Sequence, residues 1–215
     1  YTPFFDELKK VIDNRDIPRL YEYWVFFKLA KEIGDIYGGV RQLVLPAVEE
    51  TGEREVYVEF SNGYRLYYNH PFESRVKSYS VGLRPDFSLF TGDPKNEGTK
   101  LVGVFDAKFK VDYKIEGEEE SEEQEVSDSE LKAKREDIYK MHTYKDAFKT
   151  RFAVIIYPGN DSVFYNEKHN KNDPPIKNWS LKDLIKEDSQ MIGVGYLNMK
   201  PEINHHEESI LVKRG

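Results

Sequence analysis

The sequence contains no cysteine, which excludes disulfide bonds and zinc sites with thiolate ligands. No apolar run is long enough to span a bilayer and no signal peptide is visible, so the sequence predicts a cytoplasmic protein without a membrane partner. It also lacks an internal repeat, a Gly-rich phosphate loop and a Ser-His-Asp order typical of hydrolases. These absences exclude disulfide scaffolds and leave no motif for nucleotide-driven motors.

Charge is unevenly distributed along the chain. The formal net charge is −7, but residues 116–130 hold nine acidic residues and no basic ones. Outside that run, 32 basic residues face 39 − 9 = 30 acidic ones, a net charge of +2. We interpret residues 116–127 as a mobile, solvated insertion. The alternative is a tethered polyanion that competes with DNA for the active face.

The length of the chain suits one domain with a sizeable core. It has 215 residues, including 15 Tyr and 13 Phe, so an aromatic-rich core is expected. We predict a single domain over residues 1–215 with a C-terminal tail from about residue 201.

Two apolar strands joined by a turn-rich loop carry the most informative charged residues. Pro85-Asp86 precedes the apolar run 87–90, and the second strand, 101–105, ends in Asp106-Ala107-Lys108. Because side chains alternate along a strand, Asp106 and Lys108 should share a face, with Asp86 adjacent. A buried carboxylate and ammonium are costly unless the protein uses them.

Two carboxylates and a lysine in this order suit metal-dependent phosphodiester hydrolysis. Carboxylates bind Mg²⁺, the metal activates water and polarises the phosphate, and the lysine stabilises the developing charge. The alternative is a surface aspartate followed by an ordinary charge pair. Pro85-Asp86 and Asp106-Ala107-Lys108 resemble the motif of the PD-(D/E)XK nuclease superfamily.

A long apolar helix is predicted over residues 17–33, with Asp16 as N-cap and Pro18 in the first turn. Its one unusual acid, Glu22, has Val25 and Phe26 as neighbours one turn on. The carboxylate either reaches solvent at the helix edge or is a third acidic group directed at the metal. The resemblance favours the second, since nucleases of this superfamily often carry a Glu on the helix before the sheet.

A second long helix is predicted over residues 128–150, capped by Ser127 and Glu130. Its apolar stripe, which should face the sheet, consists of Ile138, Met141, Tyr144 and Phe148. The spacing Lys140-x-x-x-Tyr144 resembles the Gln-x-x-x-Tyr of the McrC-like and RecB-like branches, with lysine in place of glutamine. His142 is either an ordinary surface residue or a substrate contact.

The resemblance covers roughly residues 17–158 and implies a restriction-endonuclease-like α/β fold, with a central mixed sheet flanked by helices. It implies metal ligation of Mg²⁺, or Mn²⁺ as a substitute, by Asp86, Asp106, Glu22 and the Ala107 carbonyl. It implies Lys108 as the catalytic cation. Substrate contacts would come from Lys140, Tyr144, His142 and Arg84. A nucleotide-driven, McrB-like motor subunit is an implied partner, and a homo-oligomer is left open.

Hydrophobic patterning predicts the remaining elements. A strong turn signal lies at Asn62-Gly63. The expected helices are 4–13 and 180–188, the expected strands are 42–48, 53–60, 65–69, 152–157 and 191–199, and the expected polar loop is 161–178.

Together these features predict a metal-dependent DNA endonuclease, the nuclease subunit or domain of a restriction or defence system. The alternative is a catalytically inactive nuclease-fold module that binds nucleic acid or a protein partner. The near-neutral body favours the module. The Asp106 and Lys108 pair favours the enzyme, because a binding module does not need both groups buried together.

Overall fold

The computed structural model describes residues 3–45, 55–72, 83–109, 128–170 and 173–201, with only the backbone described over 128–135. The acidic insertion, the Ser127–Glu130 cap and the tail beyond residue 201 lie outside these residues and stay predictions. Within the described part of the chain, no helix is both long and apolar enough to cross a membrane.

An N-terminal pair of helices is followed by five strands, a long helix, three strands, a short helix and a last strand. The helices are α1 (Pro3–Asp13), α2 (Ile17–Tyr37), α3 (Asp128–Phe148) and α4 (Leu181–Ile185). The strands are β1 (Val40–Val44), β2 (Val56–Phe60), β3 (Arg65–Tyr68), β4 (Phe87–Phe90), β5 (Leu101–Ala107), β6 (Phe152–Tyr157), β7 (Val163–Asn166), β8 (Ile176–Lys177) and β9 (Gly193–Asn198).

The nine strands of the described residues form one mixed sheet in the order β1-β2-β3-β4-β5-β6-β9-β7-β8. Strands β1 to β5 make an antiparallel meander, whereas β5, β6 and β9 are parallel. The β5–α3–β6 crossover joins neighbouring parallel strands, as parallel pairing requires. The predicted α/β architecture, a mixed sheet flanked by helices, is confirmed.

Local sequence explains the limits of helix α2. The Asp16 carboxylate accepts a hydrogen bond from the Arg19 backbone N–H at 3.2 Å, and proline lies in the first turn, as predicted. The helix ends at Gly38, whose φ of 85° is left-handed and suits glycine. The helix therefore continues through Gly34, one turn beyond the predicted end.

The two faces of the sheet bury different material. On the α2 face, helices α1, α2 and α4 cover a large cluster of apolar and aromatic side chains, among them Phe26 and Leu29. On the α3 face, helix α3 covers a smaller cluster that includes Met141 and Tyr144. Alternation along β5 directs Phe105 to the α2 face, and Val104 and Asp106 to the α3 face. The predicted stripe on α3 therefore does face the sheet.

The predicted polar loop 161–178 was wrong, because it contains strands β7 and β8. Strand β7 buries only Val163 and Phe164, and the rest of the segment is rich in polar and turn-forming residues. Its pairing with β9 supplies the backbone partners that the local pattern does not reveal. Two buried residues are too few to show a strand period in the sequence.

Candidate active site

Strands β4 and β5 bring Asp86 and Asp106 together. The register that pairs Phe87 with Phe105 places Asp86 opposite Asp106 on the antiparallel neighbour. The Asp86 carboxylate accepts a hydrogen bond from the Ala107 backbone N–H at 2.8 Å, which fixes it against the end of β5. Asp106 is fully buried. Two carboxylates therefore lie side by side where β5 ends, in the middle of the strand order.

Two lysines approach the buried Asp106 carboxylate. Lys140 Nζ donates a hydrogen bond to Oδ1 at 2.9 Å. Lys108 Nζ lies 2.7 Å from Oδ2, but the angles are not those of a hydrogen bond, so Oδ2 has no hydrogen-bond donor among the described residues. Asp106 is thus charge-compensated from both sides, with one oxygen hydrogen-bonded to Lys140 and the other ion-paired with Lys108.

Glu22 reaches the same region from helix α2. Its Oε1 accepts a hydrogen bond from the Tyr68 hydroxyl at 2.6 Å and a longer one from the Asn69 amide at 3.4 Å. Burial, the Asp106 charge and the Glu22 charge raise the pKa of Asp86 well above its usual range. Three carboxylates that repel one another are an arrangement that additional positive charge would stabilise.

Helix α3 contributes Lys140 and Tyr144, one turn apart. Lys140 Nζ lies 5.2 Å from the centre of the Tyr144 ring. Burial disfavours the Lys140 ammonium, but the carboxylates of Asp106, Asp86 and Asp137 together outweigh this effect and raise the pKa of Lys140. The buried Tyr144 hydroxyl donates to the Arg84 carbonyl at 3.2 Å. Tyr144 therefore holds the segment before Asp86, and its predicted substrate contact stays a prediction.

Two further predicted substrate contacts lie at the periphery. Arg84 is exposed, and its guanidinium donates to the Asn69 carbonyl at 3.3 Å. His142 is exposed on α3 and lies two residues from Lys140, a spacing at which helical side chains do not face each other. The structure therefore groups Glu22, Asp86, Asp106, Lys108 and Lys140, with Arg84 at the rim and His142 outside.

Sequence reasoning missed Asn69. Its backbone N–H donates to the Asp86 carbonyl at 2.7 Å, its side chain donates to Glu22, and its carbonyl accepts from Arg84. It holds a left-handed φ of 53°, which asparagine tolerates better than most residues. The sequence offered one signal for this role, an asparagine that directly follows an aromatic strand. The prediction instead placed Asn69 as the last residue of strand 65–69.

The donor set fits a divalent cation. Asp86 and Asp106 supply hard carboxylate oxygens, and Oδ2 of Asp106 is buried without a hydrogen-bond donor in the described part of the chain. Within those residues, no three acidic, histidine or cysteine side chains already surround one point as a metal centre. Glu22 is held by Tyr68. Metal ligation by Asp86, Asp106, Glu22 and the Ala107 carbonyl stays a prediction.

A separate cavity of about 900 Å³ lies at the opposite end of strand β5 and is lined in part by Leu101, Lys145, Lys149 and Glu167. Along β5, Leu101 and Asp106 are five residues apart, or roughly 17 Å at the usual rise per residue. Lys145 and Lys149 lie at the C-terminal end of α3, where cations complement the helix dipole. This cavity is therefore not the carboxylate site.

Comparison with known proteins bears directly on this geometry. A family model described as the PD-(D/E)XK nuclease superfamily matches residues 19–162, which are 144 of the 215 residues. The matched region contains all five grouped side chains, together with Tyr144 and Arg84. No curated protein and no solved structure matches the chain.

Proposed function

Because the chain belongs to the PD-(D/E)XK nuclease superfamily, we propose that it hydrolyses DNA phosphodiesters with the help of a divalent metal ion. The observation that carries the proposal is that Asp86 and Asp106 lie side by side where β5 ends, with Lys108 Nζ 2.7 Å from Asp106. Nuclease chemistry follows from the family. We further propose that DNA is the substrate and that the metal ion is Mg²⁺, with Mn²⁺ as its substitute.

Each side chain has a role that its position supports. Asp86 and Asp106 would hold the metal, which when bound polarises the phosphate and activates water. Lys108, half-buried at the end of β5, orients the attacking water and stabilises the negative charge that develops on the phosphate. Glu22 supports the carboxylate pair from α2. Arg84, exposed at the rim, is placed to contact the nucleic-acid backbone.

The spacing of Lys140 and Tyr144 supports membership of an McrC-like branch. We therefore propose a nuclease subunit or domain of a restriction or defence system, working with a nucleotide-driven, McrB-like motor subunit in the cytoplasm. Association into a homo-oligomer is a further part of this proposal. Cleavage assays with and without the motor subunit test the motor partner, and the mass of the protein in solution tests the homo-oligomer.

One observation favours the alternative of a binding module without nuclease activity. Asp106 is already contacted by two lysines, as it could be in a protein that never binds metal. Against this, the oxygen of Asp106 nearest Lys108 has no hydrogen-bond donor among the described residues. A carboxylate with only a structural role would be expected to accept hydrogen bonds at both oxygens, rather than only an ion pair at one of them.

Cleavage of supercoiled plasmid tests the proposal directly. We expect wild-type protein to cut DNA with Mg²⁺ or Mn²⁺ and not with EDTA. Asp106→Ala removes a metal ligand and Lys108→Ala removes the stabilising cation, so each should lower the rate by a factor on the order of 10² or more. Lys145→Ala, which removes a lysine paired with Glu167 far from the carboxylates, is the matched control and should cut normally.

DNA binding and folding complete this test. Asp106→Ala removes a negative charge beside the phosphates, so its DNA affinity should be retained or increased, as measured by fluorescence anisotropy. Circular dichroism should show both variants folded. If wild type and both variants are equally inert with either metal, alone and with a motor partner, the enzyme proposal fails and the binding module stands. Parallel assays with RNA decide the substrate class.

A further inference from the structure

We propose that Lys140 is an internal counter-ion of Asp106 that competes with the divalent metal for the charge of this carboxylate. The inference rests on the proposed function, because it assigns Asp106 to the metal. It goes further by giving the lysine a second role besides substrate contact. Lys140 would set how tightly the resting protein binds metal.

The first support is the quality of the contact. Lys140 Nζ lies 2.9 Å from Oδ1 of Asp106 with hydrogen-bond geometry, whereas Lys108 lies close to Oδ2 without it. Among the described residues, Lys140 is therefore the side chain that makes a proper hydrogen bond to Asp106. Charge-assisted hydrogen bonds of this kind are stronger than neutral ones.

The second support is the charge balance of the site. Glu22, Asp86 and Asp106 supply three carboxylates, and Lys108 and Lys140 supply two ammonium groups. The Asp106 side chain is fully buried, so charges near it interact more strongly than they would in water. A metal bound to this pair would repel the Lys140 ammonium beside the same carboxylate. Metal and lysine thus compete for one charge, even though Oδ2 accepts no hydrogen bond from the described residues.

The third support is that Lys140 can withdraw. Its side chain remains 39% exposed, against 26% for Lys108. It projects from helix α3, while Asp106 lies on β5 and Asp86 directly precedes β4. A lysine on a long flexible stem can move to solvent or to a substrate phosphate without disturbing the strands. Lys140 is therefore the displaceable cation of the two.

Isothermal titration calorimetry with Mn²⁺, without DNA, tests the inference on the folded protein. Lys140→Gln removes the competing charge and keeps a polar side chain, so it should bind Mn²⁺ roughly tenfold more tightly than wild type. Lys140→Arg keeps a permanent cation able to bind the carboxylate with two donors, so its affinity should equal the wild-type value or fall below it. Lys145→Gln on the same helix is the matched control and should leave the affinity unchanged.

The outcomes separate this inference from the proposed function. The inference is supported if Lys140→Gln binds Mn²⁺ more tightly than wild type and the Lys145→Gln control does not. A purely structural role of Lys140 would not produce that result. Equal or weaker binding by Lys140→Gln overturns the inference, while Mn²⁺ binding by wild type still supports the metal-dependent nuclease. If neither protein binds Mn²⁺, the inference fails and the proposed function loses its metal too. If Lys140→Gln does not fold, the Lys140→Arg variant decides the question. Tighter Mn²⁺ binding by Lys140→Arg than by wild type then overturns the inference.

Discussion

The two faces of the sheet show how one layer of strands can carry both the stability and the chemistry of this protein. The α2 face is filled with aromatic and aliphatic side chains from the sheet and three helices. The α3 face buries a smaller apolar cluster, and beside it lie Asp86, Asp106 and Lys140. Burial of apolar surface stabilises folds, whereas buried charges destabilise them unless paired. We therefore expect substitutions on the two faces to act on different properties.

The largest effect on stability is expected from Phe26→Ala on the α2 face. Phe26 is fully buried and its ring contacts Tyr68 and Phe87. Removing such a ring leaves a cavity that costs about 3–5 kcal/mol of unfolding free energy. Urea denaturation measures this loss. Phe27→Ala on the same helix, whose side chain is partly exposed, is the control and should cost much less.

If Phe26→Ala and Phe27→Ala lose the same unfolding free energy, the α2 face is not the main source of stability. The comparison between the faces would then fail. Cleavage by Phe26→Ala, measured well below its melting temperature, should fall much less than cleavage by Asp106→Ala, because Phe26 supplies no polar group to the site.

A smaller effect is expected at Asn69, which joins the two faces by linking Glu22 with Asp86. Asn69→Gly keeps the left-handed backbone and removes the side chain with its amide, so cleavage should fall a few-fold with little loss of stability. Asn69→Ala also forces an unfavourable φ, at a further cost of roughly 1–2 kcal/mol. Thermal melting and plasmid cleavage on both variants separate the two contributions. Equal melting temperatures for the two variants would contradict the role given to the backbone conformation.

The smallest effect, and one of opposite sign, is expected at Ser88 on β4. Its hydroxyl is fully buried and, within the described residues, has no hydrogen-bond partner. Ser88→Ala removes an unsatisfied polar group, so stability should stay constant or rise by up to about 1 kcal/mol. Val104, its cross-strand partner, supplies the control: Val104→Ala should destabilise. A clear loss of stability in Ser88→Ala would show that the hydroxyl has a partner.

Sequence reasoning succeeded where local chemistry decides the outcome. The Asp16 cap, the proline that follows it and the buried strand 152–157 each follow from short-range rules. It failed at strands β7 and β8, because β7 pairs with the distant strand β9 and β8 then pairs with β7. Pairing between distant segments leaves no mark in a local period, so such strands cannot be derived from their own residues.

For the candidate site, the sequence by itself determined the chemical inventory: two aspartates, a lysine two residues beyond the second, and a glutamate on an apolar helix. Alternation along β5 was enough to put Asp106 and Lys108 on one face. Only the tertiary structure decided that Lys140 hydrogen-bonds Asp106, that Tyr144 holds the Arg84 carbonyl, and that Asn69 links Glu22 to Asp86. These contacts join residues 34 to 60 positions apart, or run through backbone groups whose directions depend on the packed sheet. Residue identity fixes which groups are present, whereas distances between elements fix which of them meet.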